Sequence, residues 1–283
     1  MKKFKYIFGA FLLAGSVASC NFLDREPMDF GDENAYYKTV DDLELAVNDF
    51  YQILPKMEYL WGGPYEDDNT SDNQCGNWPN NMFYPGDKKT VQQANSEWKF
   101  VNLRGINFFI NKTKEQMDAG AITGTKEFID HYWGEGFFFR AYEHFRLLRN
   151  YGDAPILEVM LPDDEATLAQ ASKRRPRNEV ARFIIEDLKR AEELMMENAP
   201  AEGRLSKDAA RLLRARVALY EATWEKYHAN TAFVPGNPKW VGASMYPDYQ
   251  FKAGDAQKEI EYFLDQAIEA ADLVASHRAL DDD

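Results

Sequence analysis

Two cysteines in 283 residues cannot build a disulfide framework, so the fold must rest on its hydrophobic core. Basic residues are the minority: 33 lysines and arginines stand against 47 aspartates and glutamates, a formal charge of −14. Such a surface repels phosphate backbones, which argues against nucleic acid as a partner. The one basic cluster, Lys173, Arg174, Arg175 and Arg177, flanks a helix start at Pro176 and is too local to reverse that. Histidines are as scarce: His131, His144, His228 and His277 form no His-Glu-x-x-His pair, and the first two lie about 140° apart around a common helix. There is no Gly-rich phosphate loop, no Gly-x-Ser-x-Gly elbow and no Cys-x-x-Cys. Asp67, Asp68, Asn69, Ser71 and Asp72 lack the turn glycine and distal glutamate of a calcium loop and read as a solvated acidic stretch. With no catalytic constellation, the chain reads as a non-enzyme that uses neither cofactor nor metal.

No apolar run reaches the roughly 20 residues needed to span a bilayer. What the amino terminus has instead is Lys2, Lys3 and Lys5 before a short apolar run from Tyr6 to Ala18, the pattern of a secretion signal. Val17, Ala18 and Ser19 precede Cys20 as a lipoprotein signal peptidase requires, so residues 1–19 read as a lipoprotein signal peptide and Cys20 as the lipidated first residue. Its acyl chains would anchor the protein to a membrane, each buried methylene contributing about 0.8 kcal/mol. The alternative is an ordinary cleaved leader with Cys20 paired to Cys75. Removing residues 1–19 removes three lysines and no acid, taking the charge from −14 to −17.

Residues 20–38 are polar and read as a tether. Thr39 and Asp42 then form a Thr-x-x-Asp capping box, and Leu43, Ala46, Val47, Phe50, Tyr51 and Leu54 keep helical spacing until Pro55. A second helix is expected to hold Trp98, Val101, Phe108 and Phe109. The third, from Thr125, carries Phe138, Ala141, Tyr142, Phe145 and Leu148 on one face and Phe128, Tyr132, Trp133, Phe137 and Phe139 off it. A helix apolar over most of its circumference needs neighbours on several sides. Gly134 and Gly136 each cost about 1 kcal/mol relative to alanine there, which close approach of a second backbone would offset. Gly152 and Pro155 stop the helix before a short extended run, Ala154 to Leu157. A fourth helix holds Val180, Phe183, Ile184, Leu188 and Ala191; a fifth, capped by Ser206, holds Ala209, Leu213, Val217 and Tyr220; a sixth holds Ile260, Phe263, Leu264, Ala267, Ile268 and Ala271. No comparable strand alternation appears. The expectation is an all-α fold: a tetratricopeptide-like superhelix of helical pairs with long irregular loops.

The run Gly134-Glu135-Gly136-Phe137-Phe138-Phe139-Arg140-Ala141-Tyr142, followed by Leu147-Leu148-Arg149-Asn150-Tyr151-Gly152-Asp153-Ala154-Pro155-Ile156, resembles the signature segment of the SusD/RagB family. Ser19-Cys20-Asn21-Phe22-Leu23-Asp24, the Val180–Leu194 helix with Glu186-Asp187-Leu188, and Gly203-Arg204-Leu205-Ser206 ahead of Arg214 and Tyr220 match in the same order. The resemblance spans residues 19–276. It implies a surface lipoprotein of the outer membrane that binds oligosaccharide and delivers it to a TonB-dependent, SusC-like transporter. It also implies that residues 39–283 are the amino-terminal helical domain, the carboxy-terminal lobe of the family being absent from the sequence. The competing reading is a helical-repeat adaptor that binds only protein.

From Lys56 to Gln93 helical periodicity vanishes and Gly, Pro, Asn and Asp crowd between isolated aromatics, the mark of an insert that is either functional or disordered. A pyranose presents a C–H face and a rim of hydroxyls, so a glycan site needs flat aromatic surface and short polar groups. Trp61, Tyr65, Trp78 and Tyr84 with Asn80 and Asn81 supply both and are the expected ligand-binding residues. The loop Ala229 to Gly254 adds Trp240, Tyr246 and Tyr249. Glu135 and Arg140, charged groups inside the most apolar helix and five residues apart, do not face each other; each is expected to bond a neighbouring helix or loop in a structural role.

Overall fold

The computed structural model describes residues 36–55 and 98–278. Seven α-helices lie among them: α1 (Val40–Phe50), α2 (Val101–Asp118), α3 (Lys126–Tyr151), α4 (Glu165–Ala171), α5 (Arg177–Leu194), α6 (Lys207–Tyr227) and α7 (Ala256–Ala275). Among the described residues there is no strand, only two isolated bridges, Thr39 with Thr123 and Ala154 with Arg175. The all-α, tetratricopeptide-like reading holds. No helix of the described residues is long and apolar enough to cross a membrane.

Local chemistry sets the helix ends. At α1 the Thr39 hydroxyl accepts from Asp42 N–H (3.1 Å) and the Asp42 carboxylate accepts from Thr39 N–H (2.9 Å), the reciprocal capping box. A 3-10 turn, Tyr51–Ile53, closes the segment before Pro55. At the far end of α3, Gly152 adopts φ +71°, a conformation that costs a residue with a Cβ. Asp164 caps the short α4 by accepting from Thr167 N–H at 2.8 Å, a helix that seven residues of mixed polarity do not announce. Ser206 stands at the start of α6, but its side chain makes no cap hydrogen bond.

Helix α3 is the axis of the fold: α1 and α2 pack on one side and α5 on another, α6 packs on α5, and α7 on α6. Its two interior glycines mark the crossings. A Cβ on Gly134 would lie 2.8 Å from Met195 Cγ and 2.9 Å from Leu194 Cβ; one on Gly136 would lie 2.9 Å from the Phe109 ring. The core runs continuously from Leu43 and Val47 through Phe109, Phe139 and Leu148 to Ile184, Leu188, Val217 and Phe263.

Some side-chain assignments change: Val101, expected on the apolar face of α2, is 71% exposed. Trp98 lies ahead of α2, not in it, because its ring packs edge-on against Tyr151 (4.6 Å between centroids) under the Arg174 guanidinium (4.5 Å). On α7, Ile268 is 58% exposed, and the buried stripe is Ile260, Phe263, Ala267, Ala270 and Val274. Among the described residues one neighbour, α6, packs closely on α7, and a single narrow face is covered there.

Candidate functional site

Cys20, Trp61, Tyr65, Trp78, Asn80, Asn81 and Tyr84 lie outside the described residues, as do Cys75 and the acidic stretch at Asp67–Asp72. The described residues bring together a different group, around the carboxy-terminal end of α3.

Glu135 and Arg140 are both buried in α3 and reach in different directions. The Glu135 carboxylate accepts two hydrogen bonds from Arg204, at 3.2 and 3.0 Å. Arg204 goes on to Asn48 Oδ1 (2.7 Å) and Glu44 (3.2 Å) on α1, and its guanidinium lies over the Tyr132 ring. His131 Nδ1 accepts from Met196 N–H (3.1 Å), which leaves Nε2 as the donor to Glu135 (2.9 Å). Arg140 donates to both oxygens of Asp187 on α5 (2.6 and 2.7 Å), to the Glu158 carbonyl (2.9 Å) and to Asn107 on α2 (3.3 Å). Four elements meet on one guanidinium. One turn on, buried His144 donates from Nδ1 to the Arg140 carbonyl (2.9 Å) and accepts at Nε2 from Leu157 N–H (3.2 Å). Burial lowers its pKa to about 3, so the imidazole is neutral and holds the extended run 154–157 as an uncharged link.

That run is joined to the start of α5 by two backbone hydrogen bonds between Ala154 and Arg175 (3.3 and 2.9 Å). Asp153 accepts from Arg177 N–H at 3.0 Å and from the Trp240 side chain, while burial pushes its carboxyl up to about 6. Trp240, Tyr246 and Tyr249 are the pins of the 229–254 loop: Tyr246 OH donates to the Arg174 carbonyl and Tyr249 OH to Asn178, each at 2.8 Å. Arg177 is buried and bidentate to Glu221 on α6 (2.9 and 2.8 Å), with its guanidinium over the Trp224 ring at 4.1 Å; His228 stacks on Trp224 at 4.1 Å.

Above these pinned groups lies a pocket of about 250 Å³ lined by Arg149, Asn150, Asp153, Trp224, Phe233 and Trp240, among others. Phe233 is 62% exposed and Val241, also in the wall, 79%. The combination is aromatic and aliphatic surface beside an amide and a guanidinium, which can oppose a sugar's C–H face and its hydroxyl rim. Arg149, Asn150 and Asp153 belong to the run that carries the family resemblance, but nothing in their spacing marks them as pocket residues. Trp224 and Phe233 are legible in sequence only as one more core aromatic and one more loop aromatic.

These features define a class of protein: a tetratricopeptide-like all-α scaffold with a small aromatic-walled pocket beside the end of its central helix. A family model of SusD-like proteins, described as starch-binding and associating with the outer membrane, matches residues 21–219, and the chain belongs to that family. SusD-like protein P2 of Formosa agariphila is 25% identical over 260 residues, covering 88% of this chain and 49% of its own length. Among solved structures, a SusD-like protein of Bacteroides fragilis matches with a TM-score of 0.51 at 23% identity, over 71% of this chain and 39% of that one. A SusD homolog from Bacteroides thetaiotaomicron matches with a TM-score of 0.54 at 16% identity, over 90% and 44%. The chain thus spans about half the length of the curated relative it matches.

Proposed function

We propose that this chain is a surface lipoprotein of the outer membrane, lipidated at Cys20, that binds oligosaccharide and passes it to a TonB-dependent, SusC-like transporter. The observation that carries this reading is the SusD-like family match over residues 21–219. The pocket beside α3 fits it chemically, because Phe233 offers apolar surface while Asn150 and Arg149 offer hydrogen-bonding groups within the same small volume. The loop residues Trp61, Tyr65, Trp78, Asn80, Asn81 and Tyr84 are proposed to contribute a second part of the binding surface. No chemical step is required of the protein, only capture and release.

Calorimetry against a panel of neutral oligosaccharides tests the reading. Trp78→Ala and Phe233→Ala are each expected to weaken binding by roughly 1–3 kcal/mol, the range for a ring-stacking contact, without lowering the melting temperature. Cys20→Ala is expected to move the protein from the membrane fraction to the soluble fraction. Retention of no saccharide, together with co-purification of a protein partner, would favour the protein-binding adaptor instead.

A further inference from the structure

A second and larger cavity, about 680 Å³, opens on the other side of the 229–254 loop, walled by the end of α4, the outer face of α5 and the strap at Ile156–Glu158. Its volume falls within the range of small-molecule sites, roughly 300–1,000 Å³. Its charges are unusual for this chain. Five cations line it, Lys173, Arg175, Arg182, Arg190 and Lys252, in a protein whose formal charge is −14.

The balance inside the cleft comes from which charges are already matched. Asp187, fully buried, is held by Arg140 from α3. Glu179 takes Arg175, Nε to Oε2 at 2.9 Å, and Glu186 takes Lys189 at 3.4 Å. Arg182 is bidentate to buried Glu259 on α7, at 2.6 and 2.8 Å. Among the described residues, Lys173 and Lys252 have no acidic partner, and Arg190 has only a long contact, 3.4 Å, to the Asp187 that Arg140 already neutralises. Against these three cations stand two exposed acids, Glu158 and Glu186, the latter in an equally long 3.4 Å contact with Lys189. Phe183 and Tyr246 supply ring surface to the same wall, and Tyr246 is fixed there by its bond to the Arg174 carbonyl. Lysine ammoniums in a concave, partly apolar setting concentrate a positive field that open surface would lose to water.

We propose that this cleft binds an anionic saccharide, one carrying carboxylates or sulfate esters, with Lys173, Lys252 and Arg190 as its charge contacts. The inference rests on the oligosaccharide reading above and specifies its ligand class. The pocket beside α3 has Arg149 for a cation but is mainly aromatic, so the two cavities would take different parts of a chain or different chains.

The test is calorimetry on the full chain in detergent with tetragalacturonate, its carboxyl-reduced neutral form and a sulfated galactan tetrasaccharide. One or both anionic sugars are expected to bind at least about tenfold more tightly than the neutral form, and less tightly as sodium chloride rises from about 50 to about 500 mM. The Lys173→Gln/Lys252→Gln double variant is expected to lose that preference while keeping its melting temperature, since both side chains are exposed. Equal affinity for charged and neutral sugars, or an unaltered double variant, overturns the anionic assignment and leaves the oligosaccharide reading standing. Binding of none of the three overturns the anionic assignment; if the neutral oligosaccharide panel is also silent, the wider reading falls with it.

Discussion

The two faces of α5 handle buried charge in opposite ways. Toward α3, Arg140 and Asp187 form a complete pair: two short bonds to the carboxylate, then bonds to a carbonyl and an amide for the remaining guanidinium nitrogen. Toward α6 and α7, Arg177 takes Glu221 and Arg182 takes Glu259, but Glu225, also buried, has neither carboxyl oxygen hydrogen-bonded among the described residues. Burial and then the carboxylates of Glu221 and Glu259 raise its pKa to about 9, against a weaker downward pull from Arg177 and Arg182. The same chain therefore meets one buried acid with a guanidinium, which pulls its carboxyl down against the upward push of burial, and leaves another among acids, where its proton is retained. A satisfied pair ties helices together; an unsatisfied acid is a place where stability depends on pH.

The largest effect expected from this contrast is at the satisfied pair. Arg140→Ala strips Asp187 of its partner and should cost about 3–5 kcal/mol in urea unfolding, whereas the double variant Arg140→Met/Asp187→Leu should recover most of that loss. A double variant no better than the single one would mean that the carbonyl and Asn107 contacts matter more than the ion pair.

Next comes packing at the α2–α3 crossing. Gly136→Ala adds a Cβ 2.9 Å from the Phe109 ring and should destabilise by about 1–3 kcal/mol, although alanine is the better helix former. Gly105→Ala on α2, where a Cβ meets nothing within 4 Å, should instead stabilise by about 0.5–1 kcal/mol. Equal signs for the two would remove close approach as the reason for the α3 glycine.

At Glu225 the sign follows from the raised pKa. The unfolded chain releases this proton near pH 4.5 and the folded chain only near 9, so its contribution is full below about 4.5, falls as pH rises, and is lost above about 9. Glu225→Gln should match the parent near pH 5 and exceed it increasingly, by several kcal/mol, as pH rises towards 9, flattening the pH profile of the melting temperature. A variant that keeps the parental slope would assign the pH dependence to another group, with Asp153, raised to about 6, the next to examine.

The helical class, the dominance of α3, the α1 capping box, the stop at Gly152 and the family resemblance are all legible in the amino-acid sequence. Each of these is a local pattern: a 3.6-residue period, a Thr-x-x-Asp spacing, a glycine followed by proline. The same sequence also showed that Gly134 and Gly136 were anomalous in a helix and that Glu135 and Arg140 were costly in an apolar one. The atoms that explain them come from folded packing, because the partners are remote: Met195 and Leu194 for Gly134, Phe109 for Gly136, Arg204 for Glu135, Asp187 for Arg140. The same holds for Trp98, whose place outside α2 is set by Tyr151 and Arg174, and for Ile268, exposed because among the described residues α7 has one close neighbour. Both cavities belong to that second kind of fact, since their walls join residues from α3 or α4 to a loop some 75 or more positions away, and no spacing rule reaches across contacts made only after the helices have stacked.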